Sequence, residues 1–291
     1  MSNEPVTTLT PAEPQLLTVK TFGLTDRGTV RQTNEDQFLI AELSKSMRVL
    51  HTSLPEPRVQ FGDECAHLFL VADGMGGHQA GERASALAVA AIENFTLNTF
   101  RWFFDPDNAG AQKVLAQFQS AVKQADARIL EEGVEHPELK GMGTTVTMAF
   151  QLGTQLCLVH VGDSRAYLHR DGGLHQLTQD HTLTADMVRL GTIRQDQVAG
   201  HHLRNVITNV VGGNELGVRV EARACEVRAG DRLLICSDGL TDGVSHEGIA
   251  AALDGNVEPE AAARRLLALA VDAGGRDNIT VVVARFDQMT P

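Results

Sequence analysis

Asp73 closes the run His67-Leu68-Phe69-Leu70-Val71-Ala72-Asp73-Gly74, an apolar stretch of strand length that ends in a glycine cluster. Asp238 closes Arg232-Leu233-Leu234-Ile235-Cys236-Ser237-Asp238-Gly239 in the same way, Asp163 follows Leu156 to Gly162, and Asp277 precedes the β-branched run Ile279 to Ala284. A carboxylate at the mouth of an apolar core is costly unless a cation or several donors meet it. The chain answers with further acids, Glu35, Asp36 and Asp242. Glu35, Asp36, Asp73, Asp163, Asp238, Asp242 and Asp277 offer only hard oxygens, which suit Mg²⁺ or Mn²⁺, whereas zinc and di-iron hydrolases are expected to recruit histidine. Two such ions about 3.5–4 Å apart, sharing a water, lower its pKa and stabilise in-line displacement at phosphorus with no covalent enzyme intermediate. The chemistry implied is phosphoester hydrolysis. Arg31, a planar cation close in sequence to Glu35 and Asp36, suits a clamp on the phosphoryl oxygens.

Acids at strand ends and strand starts meet along one edge only in an antiparallel arrangement. The chain supplies the strands. Leu17 to Leu24 reads as a first strand, Asp26-Arg27-Gly28 as a turn and Gln37 to Leu43 as a second strand, with a polar loop over Ser44 to Glu64. His78 to about Phe104 and Ala111 to about Leu130 carry apolar residues at helical spacing and are expected to form an antiparallel pair. From Gly143 the pattern is a meander, with hairpin turns expected at Leu152-Gly153-Thr154, Gly162-Asp163 and Asp171-Gly172-Gly173. Residues 182 to about 212 break the regularity and could border a site. Strands return near 218 to 237, helices near 245 to 253 and 258 to 272, and the last strand follows Asp277. Grouped helices favour an α+β sandwich, two antiparallel sheets with helices outside, over a doubly wound sheet. The glycines after Asp73 do not fit G-x-G-x-x-G.

The chain has 291 residues and a net charge of −12, from 25 Lys+Arg against 37 Asp+Glu, which argues against nucleic acid as a partner. Nothing reads as a membrane span or a signal peptide, so the expected place is the cytoplasm, with no membrane partner. Residues 1–16, rich in Pro, Thr and Glu, read as a disordered tail before a domain over 17–291. Cys65, Cys157, Cys225 and Cys236 show no CxxC spacing and read as buried structural thiols.

Seven motifs, in order, resemble those of the metal-dependent protein phosphatases of the 2C type, bacterial branch. They are Arg31-Gln32-Thr33-Asn34-Glu35-Asp36, Val71 to Gly77, Gly143-Thr144-Thr145, Val161 to Tyr167, Leu177 to His181, Ser237 to Asp242 and Gly275-Arg276-Asp277-Asn278. The resemblance covers roughly residues 18–286 and implies a four-layer αββα sandwich. It implies a protein serine/threonine phosphatase acting on phosphoserine and phosphothreonine proteins, opposing a bacterial Ser/Thr kinase. By the same resemblance Asp73 bridges two Mn²⁺ or Mg²⁺ ions, the Gly74 carbonyl and Glu35 or Asp36 serve one, and Asp238 and Asp277 serve the other. Asp163, Asp242 and Asp238 match the acids of a third, weaker ion, Arg31 matches the phosphate clamp, and the segment near 182–212 matches the flap.

One position departs from the family. Eukaryotic members commonly carry a histidine two residues after the bridging aspartate to protonate the leaving alkoxide, and this chain has Met75 there. A metal-bound water or His78 could replace it. Asp163 also suits a hairpin turn, Asp242 a helix N-cap, and His201-His202 a solvated loop pair. Two other functions compete: a catalytically inactive member that binds phosphoproteins, and a small-molecule phosphomonoesterase. All of Asp73, Asp238 and Asp277 are present, as an active enzyme requires.

Overall fold

The computed structural model describes residues 17–48, 59–77, 79–103, 110–213 and 217–289. Its strands are β1 (Leu17–Asp26), β2 (Asp36–Arg48), β3 (Val59–Met75), β4 (Gly143–Thr144), β5 (Val146–Leu152), β6 (Gln155–Val161), β7 (Arg165–Arg170), β8 (Gly173–Gln176), β9 (Glu221–Glu226), β10 (Arg232–Cys236) and β11 (Ile279–Gln288). The helices are α1 (Gln79–Phe103), α2 (Ala111–Glu135), α3 (Leu183–Arg189), α4 (Asp238–Thr241), α5 (His246–Leu253) and α6 (Pro259–Asp272). All strand pairs are antiparallel. One sheet has the order β1-β11-β10-β7-β8; the other runs β2-β3-β5-β6-β9, with β4 on β3.

Three buried clusters define the layers. Alternation sends Leu68 and Leu70 of β3 towards α1 and α2, while Phe69 and Val71 face Ile235, Val282 and Phe286 of the other sheet. Val281 and Val283 of β11 point the opposite way, to Ile249, Leu253, Ala263 and Leu266 of α5 and α6. The order is therefore helices, sheet, sheet, helices. Both faces of each central strand are covered, so the sequence shows unbroken apolar runs rather than alternation. Burying each large apolar side chain contributes about 1.5–3 kcal/mol, and the intersheet layer holds Phe69, Leu158, Leu233 and Phe286 together. Small residues Ala80, Ala84 and Ala88 let α1 lie close on its sheet. Arg83 near its start pairs with Glu132 near the end of α2 at 2.6 Å, which sets the two helices antiparallel.

Three expectations need correction. The stretch 44–64 is not simply a loop: β2 continues to Arg48 and β3 begins at Val59, with a register shift between Ser44 and Ser46. β5 joins β3 only from Ala66 onward, so this extension is a two-stranded ribbon with no third strand to demand an apolar pattern. Second, Gly162-Asp163 is not a hairpin. β6 and β7 lie in different sheets, and Gly162, at φ +109, turns the chain across the sandwich, where a Cβ would meet Thr145 Cγ2 at 2.5 Å. Third, Asp242 is not an N-cap: it ends α4, a short helix the periodicity does not reveal, and Ser245 caps α5 by accepting from Gly248 N. The tail 1–16 and His78 lie outside the described residues. Among the described residues no helix is long and apolar enough to cross a membrane.

Candidate metal centre

The topology brings the chemistry-bearing strand ends to one end of the sandwich. In the second sheet Asp36 opens β2 directly opposite Asp73 of β3. In the first, Cys236 at the end of β10 pairs with Val281 of β11 and with Arg165 at the start of β7, which gathers Asp238, Asp277 and the Asp163 turn. The sheets are stitched here by hydroxyls. Ser237 Oγ and Thr280 Oγ1 each donate to Asp36 Oδ2 at 2.7 Å, Thr280 N donates to Ser237 Oγ, and Thr25 Oγ1 meets Thr280 Oγ1. Asn278 ties down the neighbouring loop: its Oδ1 accepts from Glu35 N, and its Nδ2 donates to the carbonyls of Arg27 and Thr33.

Asp73 is fixed through its backbone. Its N–H donates to Thr145 Oγ1, its carbonyl accepts from Thr144 Oγ1 and Thr145 N, and Thr145 Oγ1 meets Ser164 Oγ beside Asp163. Met75 lies within β3, its backbone paired with Gly143. Glu35 is buried, and Gly81 of α1 makes room for it: a Cβ there would stand 2.0 Å from Glu35 Oε2. Gly74 approaches the same turn, since its own Cβ would meet Gly81 O at 2.1 Å.

The electrostatics are those of uncompensated negative charge. Burial, then the charges of Asp36, Asp238, Asp163 and Asp277, push Asp73 well above the ordinary carboxylate range. Burial, then Asp163, Asp277, Asp242 and Asp36, do the same to Asp238. Burial lifts Asp36 to about 6 despite its two hydroxyl donors, and burial with Asp180 and Asp242 lifts Asp163 to about 7. No donor among the described residues reaches the buried Asp36 Oδ1 or Asp163 Oδ1. Such a set fits a divalent cation: hard oxygens, a charge excess and buried acceptors without donors.

Arg31 stands at the rim, Nη2 2.6 Å from Asp277 Oδ2, and remains half exposed. Asp242 is exposed, 3.6 Å from Arg204 Nη2, a contact from the irregular segment 182–212. That segment holds α3 and a short 3₁₀ turn, Gln195–Gln197. A cleft of about 820 Å³ lies under it, lined by Asp180, His181, Asp186, Arg189 and Arg219; none of the seven acids lines it, so the chemistry belongs to the carboxylates rather than the cleft. His201 and His202 stack on each other, 4.8 Å apart.

Residue-type reasoning about the acids passed over Ser237, Thr280, Asn278 and Thr145 as their partners. The first three flank Asp238 and Asp277 in sequence, and a hydroxyl or amide next to a strand-end acid is the signal that marks them.

Comparison with known proteins agrees with this geometry. The family model for protein phosphatase 2C matches residues 58–269. The serine/threonine protein phosphatase PstP of Mycobacterium tuberculosis is 40% identical over 261 residues, 89% of this chain, which spans only 43% of that relative's length. A serine/threonine phosphatase of Listeria monocytogenes is 30% identical over 263 residues, covering 90% of this chain and 94% of the relative. The crystal structure of the PstP catalytic domain in complex with two manganese ions superposes with a TM-score of 0.71 at 37% identity, over 94% of this chain and all of that one. By its sequence and by the two stacked sheets that collect its acids, the chain belongs to the protein phosphatase 2C family.

Proposed function

We propose that this chain is a metal-dependent protein serine/threonine phosphatase, a phosphoric monoester hydrolase acting on phosphoserine and phosphothreonine in proteins. The observation that carries the reading is the meeting of Asp36, Asp73, Asp163, Asp238 and Asp277 from two sheets, the first four raised by burial and then by neighbouring carboxylates, with Arg31 at the rim. Two Mn²⁺ or Mg²⁺ ions, when bound, supply an activated water and Lewis acidity towards phosphorus.

Asp73, with the Gly74 carbonyl and Glu35 or Asp36 on one side and Asp238 and Asp277 on the other, would hold those ions; Asp163, Asp242 and Asp238 would hold a weaker third. Ser237 and Thr280 keep Asp36 oriented and ionisable by donating to one of its oxygens. Arg31 orients the phosphoryl group through its guanidinium fork. Met75 has no proton to give, so the leaving alkoxide takes its proton from water or from His78. Residues near 182–212 act as the flap, with Arg204 towards Asp242. The substrates are phosphoproteins of a cognate Ser/Thr kinase, in the cytoplasm.

The intact acid set argues against an inactive binding module, which has no need of five mutually repelling carboxylates. The test is hydrolysis of a phosphothreonine peptide and of p-nitrophenyl phosphate by chelated protein, with and without added Mn²⁺. Hydrolysis of both that returns with Mn²⁺ is expected. Peptide binding without turnover would favour the binding module, and turnover after exhaustive chelation would exclude the dinuclear mechanism.

A further inference from the structure

The intersheet layer ends in a second group of donor atoms, midway along β2 and β3, where the two-stranded ribbon begins and away from Asp36 and Asp73. Alternation places Cys65, His67, Phe69, Val71 and Asp73 on one face of β3, and Asp36, Phe38, Ile40 and Glu42 on the same face of β2. Apolar side chains fill the middle of this face. Glu42 pairs directly opposite His67, and Cys65 lies one step beyond. A ligand atom from each of Glu42, Cys65 and His67 lies within 4.8 Å of the other two. From Cys65 to Asp73 the strand runs about 26 Å, at about 3.3 Å per residue, so this group is separate from the acid centre.

The histidine is prepared to ligate. Gln151 Nε2 donates to Gly153 O, which turns Gln151 Oε1 towards His67 Nδ1 at 2.8 Å. An amide oxygen only accepts, so Nδ1 carries the proton and Nε2 presents a lone pair. That lone pair faces Glu42 Oε2 at 3.7 Å, near the ~3.4 Å between two ligands held about 2.1 Å from one tetrahedral ion. Phe69 stacks on the ring at 6.2 Å and fixes its plane. Metal-bound histidines usually hold their other N–H on an acceptor in this way. A second histidine group, His160, His181 and Glu221, has no ring nitrogen free in this way on His160: its Nε2 donates to Gln179 O and its Nδ1 meets Thr147 Oγ1, while His181 Nδ1 already accepts from Gly162 N. Burial and the Glu42 carboxylate push the Cys65 thiol up to about 11, and a cation between the two groups is what would offset that repulsion and ionise the sulfur.

We infer that Glu42, Cys65 and His67 form a binding site for a zinc-class divalent ion, with one oxygen, one sulfur and one nitrogen ligand and a fourth position for water. Sulfur and imidazole select zinc over the hard ions suited to the acid centre. Glu42 is exposed and Cys65 is half-buried, so an ion can enter from solvent.

The test uses Co²⁺ as the probe, on full-length protein already saturated with Mg²⁺ to occupy the oxygen ligands. A near-ultraviolet thiolate-to-cobalt band is expected, saturating at one equivalent per chain and bleached by Zn²⁺, which binds more tightly. Cys65→Ser abolishes the band and Cys225→Ser leaves it. Glu42→Ala, at an exposed position that folding does not need, keeps the band but weakens Co²⁺ binding at least tenfold. Gln151→Leu weakens it by about 10–100-fold through the histidine. Thermal melts followed by circular dichroism confirm that each variant is folded. No band in the wild type, a band that survives Cys65→Ser or vanishes in Cys225→Ser, or affinity indifferent to Glu42→Ala would each overturn the site.

Discussion

Arg31 Nη2 lies 2.6 Å from Asp277 Oδ2, so the cation expected to grip the phosphoryl group is held by one of the acids expected to grip metal. The pair is exposed enough that screening keeps it weak, and its partner is Asp277 rather than Glu35 or Asp36. Were Asp277 to hold a metal ion, its carboxylate would be shared and the Arg31 guanidinium fork freed for the phosphoryl group. Arg31→Ala is therefore expected to raise KM for a phosphothreonine peptide by tenfold or more, with Mn²⁺ affinity unchanged or slightly tighter. Calorimetry showing a matching loss of Mn²⁺ affinity would make Arg31 a structural partner of the centre instead.

Asp73 and Asp238 each sit among several like charges. Asp73→Asn or Asp238→Asn removes one charge from a shared cation, and the loss of turnover is expected to be at least on the order of 10²–10³, the scale of removing one preorganised electrostatic group. The same substitution relieves repulsion in the metal-free chain, whose Tm is expected to rise. A lowered metal-free Tm, or unchanged Mn²⁺ stoichiometry by calorimetry, would contradict the assignment.

The pH dependence follows from Asp36 at about 6 and Asp163 at about 7. Unfolded, both return to about 3.9. Between those values the folded chain holds more protons than the unfolded one, so these two acids lower metal-free stability as pH rises from about 4 to about 7 and add no slope below that window. Mn²⁺ binds the ionised forms and offsets the loss. The Tm gain from saturating Mn²⁺ is expected to be larger at about pH 8 than at about pH 5, and the difference to shrink in Asp163→Asn. A gain independent of pH would show that these carboxyls do not meet the metal.

How much of this could be read in advance depends on what each residue needs. Asp73, Asp238 and Asp277 are legible because the strands beside them are covered on both faces, which prints unbroken apolar runs with an acid at one end. The αββα layering follows from the same runs and the grouped helices. The crossing at Gly162-Asp163 is not legible, because a turn within a hairpin and a turn between sheets use the same residues. Nor is the β2–β3 ribbon, whose polar pairs obey no core. The partners of Asp36 are set by contacts across some 200 residues of sequence, which no local pattern carries.

Ser237 shows how such a partner acts. Its hydroxyl donates to Asp36 Oδ2 and accepts from Thr280 N, so it joins the two sheets at the acid. Ser237→Ala leaves Asp36 with Thr280 as its hydroxyl donor, raises its pKa further and lets the carboxylate turn. Mn²⁺ affinity is expected to fall by about 10–100-fold, the usual effect of losing a group that orients a ligand, with turnover restored at high Mn²⁺. Turnover that stays low at saturating Mn²⁺ would place Ser237 in contact with the reaction itself.

Gly81 offers the sharpest test of packing at the centre. It lies in the first turns of α1, where Ala is ordinarily favoured over Gly by about 1 kcal/mol. Here a Cβ would meet Glu35 Oε2 at 2.0 Å and the carbonyl carbon of Gly74 at 2.9 Å. The first contact can yield by moving the Glu35 side chain; the second is backbone against backbone and cannot yield without lifting α1 from the end of β3. Gly81→Ala is therefore expected to lose about 1–3 kcal/mol, the range for an overpacked core, in place of the usual helix gain. Because the displaced groups are Glu35 and Gly74, Mn²⁺ affinity should fall along with stability. Gly133→Ala in α2, where the nearest atom to a new Cβ is 3.7 Å away, is the control and should be neutral or stabilising. Denaturant titration of both variants, with and without Mn²⁺, separates the two effects, and a Gly81→Ala protein as stable as the control would show that α1 does not press on the metal end of β3.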